Sequence, residues 1–285
     1  MPDTITAQDL SRRIGLPDAP LLIDVRTAED AAGDPRILPA AIARDHRDVA
    51  AWAPAFRGQP VVAICQRGLK LSEGVAAWLR HEGVPAQALE GGFAAWRDAG
   101  LPLVRTSLIP PRDARGRTIW VTRARPKVDR IACPWLIRRF IDRAAVFLFV
   151  AASQVAAVAD RFGATPFDIE DTFWSHRGEG CTFDTMLDEY GLDTPALRRL
   201  ALLVRGADTA RPDLAPQSAG LLAASLGLSR LHAEDLTQLE IGLSLYDAFH
   251  LWCRDATEET HNWPAPGPGP SPGGGPAPAD SAGKA

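Results

Sequence analysis

No run of about 18 apolar residues, the minimum for a membrane-spanning helix, occurs in the 285-residue chain; its longest apolar segment, Ala144–Ala152, is half that length. The opening MPDTITAQDLSRRIG has an acid at Asp3 and no apolar core, so no signal peptide is read and the cytoplasm is the expected compartment. Cysteine is scarce. The four present (Cys65, Cys133, Cys181 and Cys253) form no CxxC pair and no disulfide-rich spacing, which fits a reducing compartment where a cysteine is either filler or chemically useful. A net charge of −4 argues against a general nucleic-acid binder. It hides an asymmetry, because Arg112–Arg143 carries +7 and the remainder −11. A cationic strip in an acidic chain suits a small anion or an internal partner, and equally a solvated face.

What is present is the composition of a globular chain, 46 % hydrophobic and 23 % charged, with length enough for two cores. Thr6 and Asp9 are placed to cap a first helix. Leu21–Val25, Val61–Ile64 and Ala86–Leu89 are short apolar runs separated by helical stretches, the last strand turning through Gly91-Gly92 into a helix around Trp96. Such alternation predicts an α/β domain, a parallel sheet flanked by helices, over residues 1–105. Pro110-Pro111 and Asp113–Gly116 mark a linker over 106–117 whose composition carries no core. Residues 118–256 read as a mostly helical α+β domain. It has strands at Thr118–Thr122 and Ala145–Val150, a helix capped by Asp129 and running to Asp142, and a last helix, Leu236–Cys253, apolar nearly all round and so expected to be central and buried. The Pro/Gly/Ala tail 257–285 lacks the residues to order itself.

The strongest chemical signal is Cys65-Gln66-Arg67-Gly68-Leu69-Lys70-Leu71-Ser72. A cysteine that ends a strand and opens a helix can be wrapped by backbone N–H groups and faced by the helix N-terminus, which favours a thiolate; Arg67 and Lys70 add positive charge. Alone, it reads equally as a small buried hydrophobe. Its setting adds more: Asp24-Val25-Arg26 follows the earlier strand, and Glu90-Gly91-Gly92-Phe93 with Trp96 closes the domain. This arrangement resembles a single-domain rhodanese over about residues 4–105. The resemblance implies a sulfurtransferase with the persulfide on Cys65 and a six-residue loop Cys65–Lys70. Gln66, Gly68 and Leu69 would bind the substrate, and Asp24 and Arg26 would stand as the family's acid and base beside the site. It further implies a small, thiosulfate-like sulfur donor or acceptor and no cofactor. The family's His-Ile-Pro-Gly-Ala segment is here Ile37-Leu38-Pro39-Ala40-Ala41.

In the second domain, Trp120–Arg123, Asp129–Asp142, His176–Asp184 and Val204–Asp208 together resemble the C-terminal domain of the ChrB-type chromate-resistance family over about residues 118–255. That resemblance implies a chromate or oxidative-stress context. A rhodanese-like domain stands where regulators of that family carry a DNA-binding segment, so nucleic acid is not the expected partner. Read as residues alone, Glu170, Asp171, His176, Cys181 and Asp184 crowd into fifteen turn-rich positions, and Asp208 ends a later helix. His176 with Glu170, Asp208, Asp184 and Cys181 offers a donor set for iron, manganese or zinc; the carboxylates read also as ordinary loop acids in contact with water, and Cys181 as ligand, redox partner or filler. Arg123, Arg125, Lys127 and Arg130 surround a strand-to-helix junction, a seat for chromate or another oxyanion. Arg138, Arg139 and Arg143 read as a solvated face, and Asp247 with His250 as a buried pair.

Overall fold

The computed structural model of the chain describes residues 3–259. The tail reading, from Thr260 on, lies outside the described residues. The N-terminal part runs β1 (Thr4–Ile5), α1 (Ala7–Arg13), β2 (Leu21–Asp24), α2 (Ala28–Gly33), β3 (Arg36–Ile37), β4 (Ile42–Ala43) and α3 (Val49–Trp52). It continues with β5 (Val61–Ile64), α4 (Lys70–His81), β6 (Ala86–Leu89), α5 (Gly92–Asp98) and β7 (Val104–Arg105). Five strands form one parallel sheet in the order β1-β6-β5-β2-β4, while β3 and β7 pair antiparallel beside it. All four β5 residues are buried, as a central strand covered on both faces requires. Val61 and Ala63 face a core with Val75 and Leu79 of α4; Val62 and Ile64 face another with Leu10, Phe93 and Trp96. At α1, the Thr6 hydroxyl accepts the Asp9 N–H at 3.1 Å, the predicted cap.

The C-terminal part comprises β8 (Ile119–Arg123), α6 (Asp129–Leu136), β9 (Val146–Val150), α7 (Val155–Phe162) and β10 (Thr165–Pro166). It ends with α8 (Thr182–Tyr190), α9 (Pro195–Asp208), α10 (Ser218–Leu231) and α11 (Asp235–Leu251). Its small sheet is parallel, ordered β10-β8-β9. Pro134 removes one donor from α6, and the chain continues to Ile141 as a wider π-helical turn. Trp120, Trp135, Phe183, Tyr190 and Tyr246 centre the largest core of the molecule. The helix α11 corrects the sequence expectation. It buries one face (Leu239, Leu243, Tyr246, His250) and exposes Leu236 and Ile241 on the other.

The two parts are packed together. The Ala40 N–H donates to the Phe140 carbonyl at 2.6 Å, and Val104 lies in the second core. Within 106–117, expected to carry no core, Leu108 and Ile109 pack against the second domain. The arginines expected on a solvated face are instead structural ties. Arg138 meets Glu240 at 2.5 Å, Arg139 grips both oxygens of Asp247 at 2.8 Å, and Arg143 donates to the Ala19 carbonyl across the interface. Asp247 also accepts from Trp135 Nε1, so its partners are Arg139 and Trp135 rather than His250.

Candidate functional sites

Cys65 is the first residue beyond the carboxyl edge of β5, 4 % exposed. Next to it, α4 begins at Lys70 with no side-chain cap. An uncapped helix leaves its first N–H groups without partners, and here the sulfur takes that place: the N–H groups of Arg67, Leu69 and Ser72 point at Sγ, and Ser72 Oγ lies 3.1 Å from it. Burial works to raise the thiol, but the Ser72 hydroxyl and the backbone donors outweigh it, and Cys65 titrates below the ordinary cysteine value. The loop is fixed from the other side by α5. Its Phe93 N–H donates to the Cys65 carbonyl at 2.9 Å and its Ala94 N–H to the Gln66 carbonyl at 3.0 Å. This close approach needs Gly68 and Gly92, both at positive φ, since a Cβ on Gly92 would run into the Cys65 carbonyl and the Gly68 N–H.

Arg67, Leu69 and Lys70 are exposed at the rim of this loop, and Gln66 Oε1 is buried without a hydrogen-bond partner among the described residues. Asp24 ends the neighbouring β2 in register with Ile64. Asp24 and Arg26 form a buried pair at 2.9 Å, and Arg26 spends its other donors on the Asp34 and Arg36 carbonyls while lying 3.9 Å over the Phe93 ring. These two hold the loop's neighbours in place. Neither is hydrogen-bonded to the sulfur, whose side-chain partner is Ser72.

The second site is built from four separate segments. His176 Nε2 lies 3.2 Å from Asp208, 3.4 Å from Asp168 and 3.5 Å from Asp129. Asp208 is the last residue of α9, whereas Asp168 stands in the loop after β10 and Asp129 is the first residue of α6. Rather than capping its own helix, as expected, the fully buried Asp129 accepts the Thr182 and Phe183 N–H groups at the start of α8. Asp168 is held by Arg130 at 3.2 Å and Arg123 at 3.4 Å. Three carboxylates around one imidazole push His176 up to about 12, and burial pushes Asp129 up to about 7. Backbone strain collects here as well: Val128, a β-branched residue at φ 30°, Arg125, Asp168 and Asp171 all have positive φ. Such clustering is typical of functional sites.

Of the residues read as ligands from sequence, His176 and Asp208 are brought together, and one ligand atom each from Asp129, His176 and Asp208 lies within 4.8 Å of the others. The rest are placed elsewhere. Glu170 is exposed, Asp184 is bound to Arg205 at 2.7 Å, and Cys181 is sealed at the start of α8 with burial holding its thiol well above the usual range. Asp129 and Asp168 were missed. Nothing local separates Asp168 from Glu170 and Asp171, and Asp129 carries the same signal as a helix cap. Of the expected oxyanion ligands, Arg123 and Arg130 border the cluster, whereas Lys127 is exposed and Arg125 is tied to Asp235 and the Ser229 carbonyl.

Among known proteins, residues 6–99 match the rhodanese-like domain family and residues 120–253 match the family described as ChrB, C-terminal domain. Protein ChrB of Cupriavidus metallidurans is 32 % identical over 194 residues, which span 62 % of this chain and 58 % of that protein. A solved rhodanese-like domain protein from Staphylococcus aureus is 27 % identical, with a TM-score of 0.30, over 33 % of this chain and 91 % of its own. Thiosulfate sulfurtransferase from Pseudomonas aeruginosa is 27 % identical, with a TM-score of 0.31, over 36 % of this chain and 19 % of its own. No described helix is long and apolar enough to cross a membrane. The chain is thus a fusion of a rhodanese-like domain, residues 6–99, with a ChrB-type C-terminal domain, residues 120–253.

Proposed function

We propose that the N-terminal domain is a sulfurtransferase working through Cys65 in a chromate or oxyanion stress response. The observation that carries this reading is the ring of N–H donors around Sγ, which favours the thiolate and suits a persulfide anion equally. The thiolate attacks the outer sulfur of a thiosulfate-like donor. A Cys65 S–S bond forms, the donor's S–S bond breaks, and sulfite leaves with the electron pair. An acceptor such as cyanide then takes the outer sulfur as thiocyanate and returns the thiolate. No cofactor enters these steps. In a thiosulfate:cyanide assay Cys65→Ser is expected to lose at least about a thousandfold in rate with its fold unchanged, because only the thiolate is nucleophilic at neutral pH. A serine variant that retains activity sinks the assignment. A wild type without activity leaves the domain a regulatory module in an oxyanion or metal sensor.

For the second domain, the grouping of Asp129, His176 and Asp208 supports a divalent transition metal, with iron, manganese and zinc the ions that one imidazole and two carboxylates suit. Arg123 and Arg130 are the competing neutralisers. Elemental analysis of protein purified without a polyhistidine tag is expected to find one metal per chain, lost in His176→Ala. Substoichiometric metal unchanged by that substitution overturns the metal reading and leaves an arginine-paired anion site.

A further inference from the structure

A cavity of about 310 Å³ lies at the junction of the two domains, and its lining includes neither Cys65 nor the His176 cluster. That volume is at the lower end of the range for small-molecule pockets. Its apolar wall comes from both halves: Ile14, Trp96 and Leu101 from the first, Phe140 and Ala196 from the second. Among the described residues, no acidic side chain lines it. Arg199 and Arg254 do, and they differ in how their charge is used. Arg254 is paired with Asp255 at 2.6 Å; Arg199, exposed at the rim, donates only to the Cys253 carbonyl at 2.8 Å and has no carboxylate partner among the described residues.

Two further features face the same space. The helix α9 starts here, with Thr194 as its cap, Pro195 in its first turn and the Ala196 N–H left without an intrahelical partner. A 14-residue helix therefore points its positive end at the cavity one turn before Arg199. At the buried end stands His250, 4 % exposed, whose Nδ1 has no hydrogen-bond partner among the described residues. Buried polar groups are nearly always satisfied, and one that is not calls for an explanation.

We propose that this interdomain cavity binds a small aromatic or branched monocarboxylate carrying a second hydrogen-bonding group at its buried end. The carboxylate sits at the rim on Arg199 and the Ala196 N–H, the apolar body lies against Trp96 and Phe140, and the far polar group meets His250. Burial, with Arg254 nearby, lowers His250 to about 4, so its imidazole is neutral at physiological pH and offers both a donor and an acceptor. The absence of acidic side chains from the wall explains why an anion is admitted and a cation is not.

The test uses the full chain and two probes, phenylacetate and 4-hydroxyphenylacetate, followed by calorimetry or ligand-observed NMR. Both are expected to bind saturably, the hydroxylated probe more tightly. Arg199→Gln, at an exposed position that does not threaten the fold, is expected to weaken both by at least about tenfold. His250→Phe is expected to erase the preference between them, while Cys65→Ser and His176→Ala bind as the wild type does. No saturable binding at millimolar concentration, or binding unchanged in Arg199→Gln, overturns the proposal.

Discussion

Cys65 and Cys181 both stand at the N-terminus of a helix, and their thiols are driven in opposite directions. At α4 the donors are left for the sulfur: the N–H groups of Arg67, Leu69 and Ser72 converge on Cys65, and the charges at the rim are positive. At α8 carboxylates have taken them. Asp129 accepts the Thr182 and Phe183 N–H groups, and Asp184 accepts the Cys181 N–H at 3.0 Å while lying 3.3 Å from the sulfur. Burial, followed by the charges of Asp129 and Asp184, then holds Cys181 as a thiol. A helix N-terminus activates a cysteine only when its N–H groups remain free to reach it. The helix dipole alone does not decide the outcome.

Substitution at the glycines beside the two cysteines is the severest way to break this contrast. Gly92→Ala puts a Cβ into the Cys65 carbonyl and the Gly68 N–H at a positive φ, so the ring of donors around the sulfur cannot close. Sulfur transfer is expected to fall at least about a hundredfold, and stability by about 3 kcal/mol. Beside Cys181, Gly180 has its nearest neighbours at 3.3 Å, and Gly180→Ala is expected to cost under about 1 kcal/mol with transfer intact. Paired melting curves and rate assays check both. Equal effects from the two alanines would mean that the loop around Cys65 is no more constrained than the start of α8.

Asp129 carries the second contrast. Asp129→Ala strands the two N–H groups of α8 in the core and removes one of the three acids facing His176. The expected loss is about 3 kcal/mol in urea unfolding, with Asp129→Asn recovering part of it through its amide oxygen. The sulfur transfer proposed for Cys65 is expected to be unchanged. A loss below about 1 kcal/mol for the alanine would show that water replaces the carboxylate, and that Asp129 does not organise the start of α8.

The two sites differed in how well the sequence exposed them, for the same physical reason. The donors that hold Cys65 belong to eight consecutive residues, and a strand-turn-helix places backbone N–H groups around the first of them whatever the side chains are. Contiguity made the loop readable. The His176 cluster is closed by α6, α9 and two loops, and its key acid, Asp129, points away from its own helix toward α8. A helix-start aspartate looks like a cap until the partner helix is placed. The same limit explains α11. Its apolar residues surround the helix in sequence, yet only the packing against α6 decides that Leu239 and Leu243 face inward while Leu236 and Ile241 face outward. The His–Asp reading of Asp247 and His250 failed similarly, because Arg139 comes from another helix.

The smallest expected effect tests the donor ring one bond at a time. Ser72 is fully buried, its hydroxyl 3.1 Å from Sγ and 3.2 Å from the Leu69 carbonyl. When Cys65 is a thiolate, the hydroxyl proton turns to the sulfur, so the bond favours the charged form. Ser72→Ala removes that donor, leaves the backbone N–H groups in place and raises the thiol. In the proposed reaction the thiolate is the attacking species, so the acid limb of the rate profile moves to higher pH. Well below the limb the rate falls by roughly fivefold, the worth of one hydrogen bond of about 1 kcal/mol, and above it the wild-type rate returns. A merely structural role for Ser72 gives a different profile, with the rate lowered equally at every pH. That uniform loss would assign the sulfur's depressed pKa to the backbone of Arg67, Leu69 and Ser72 alone.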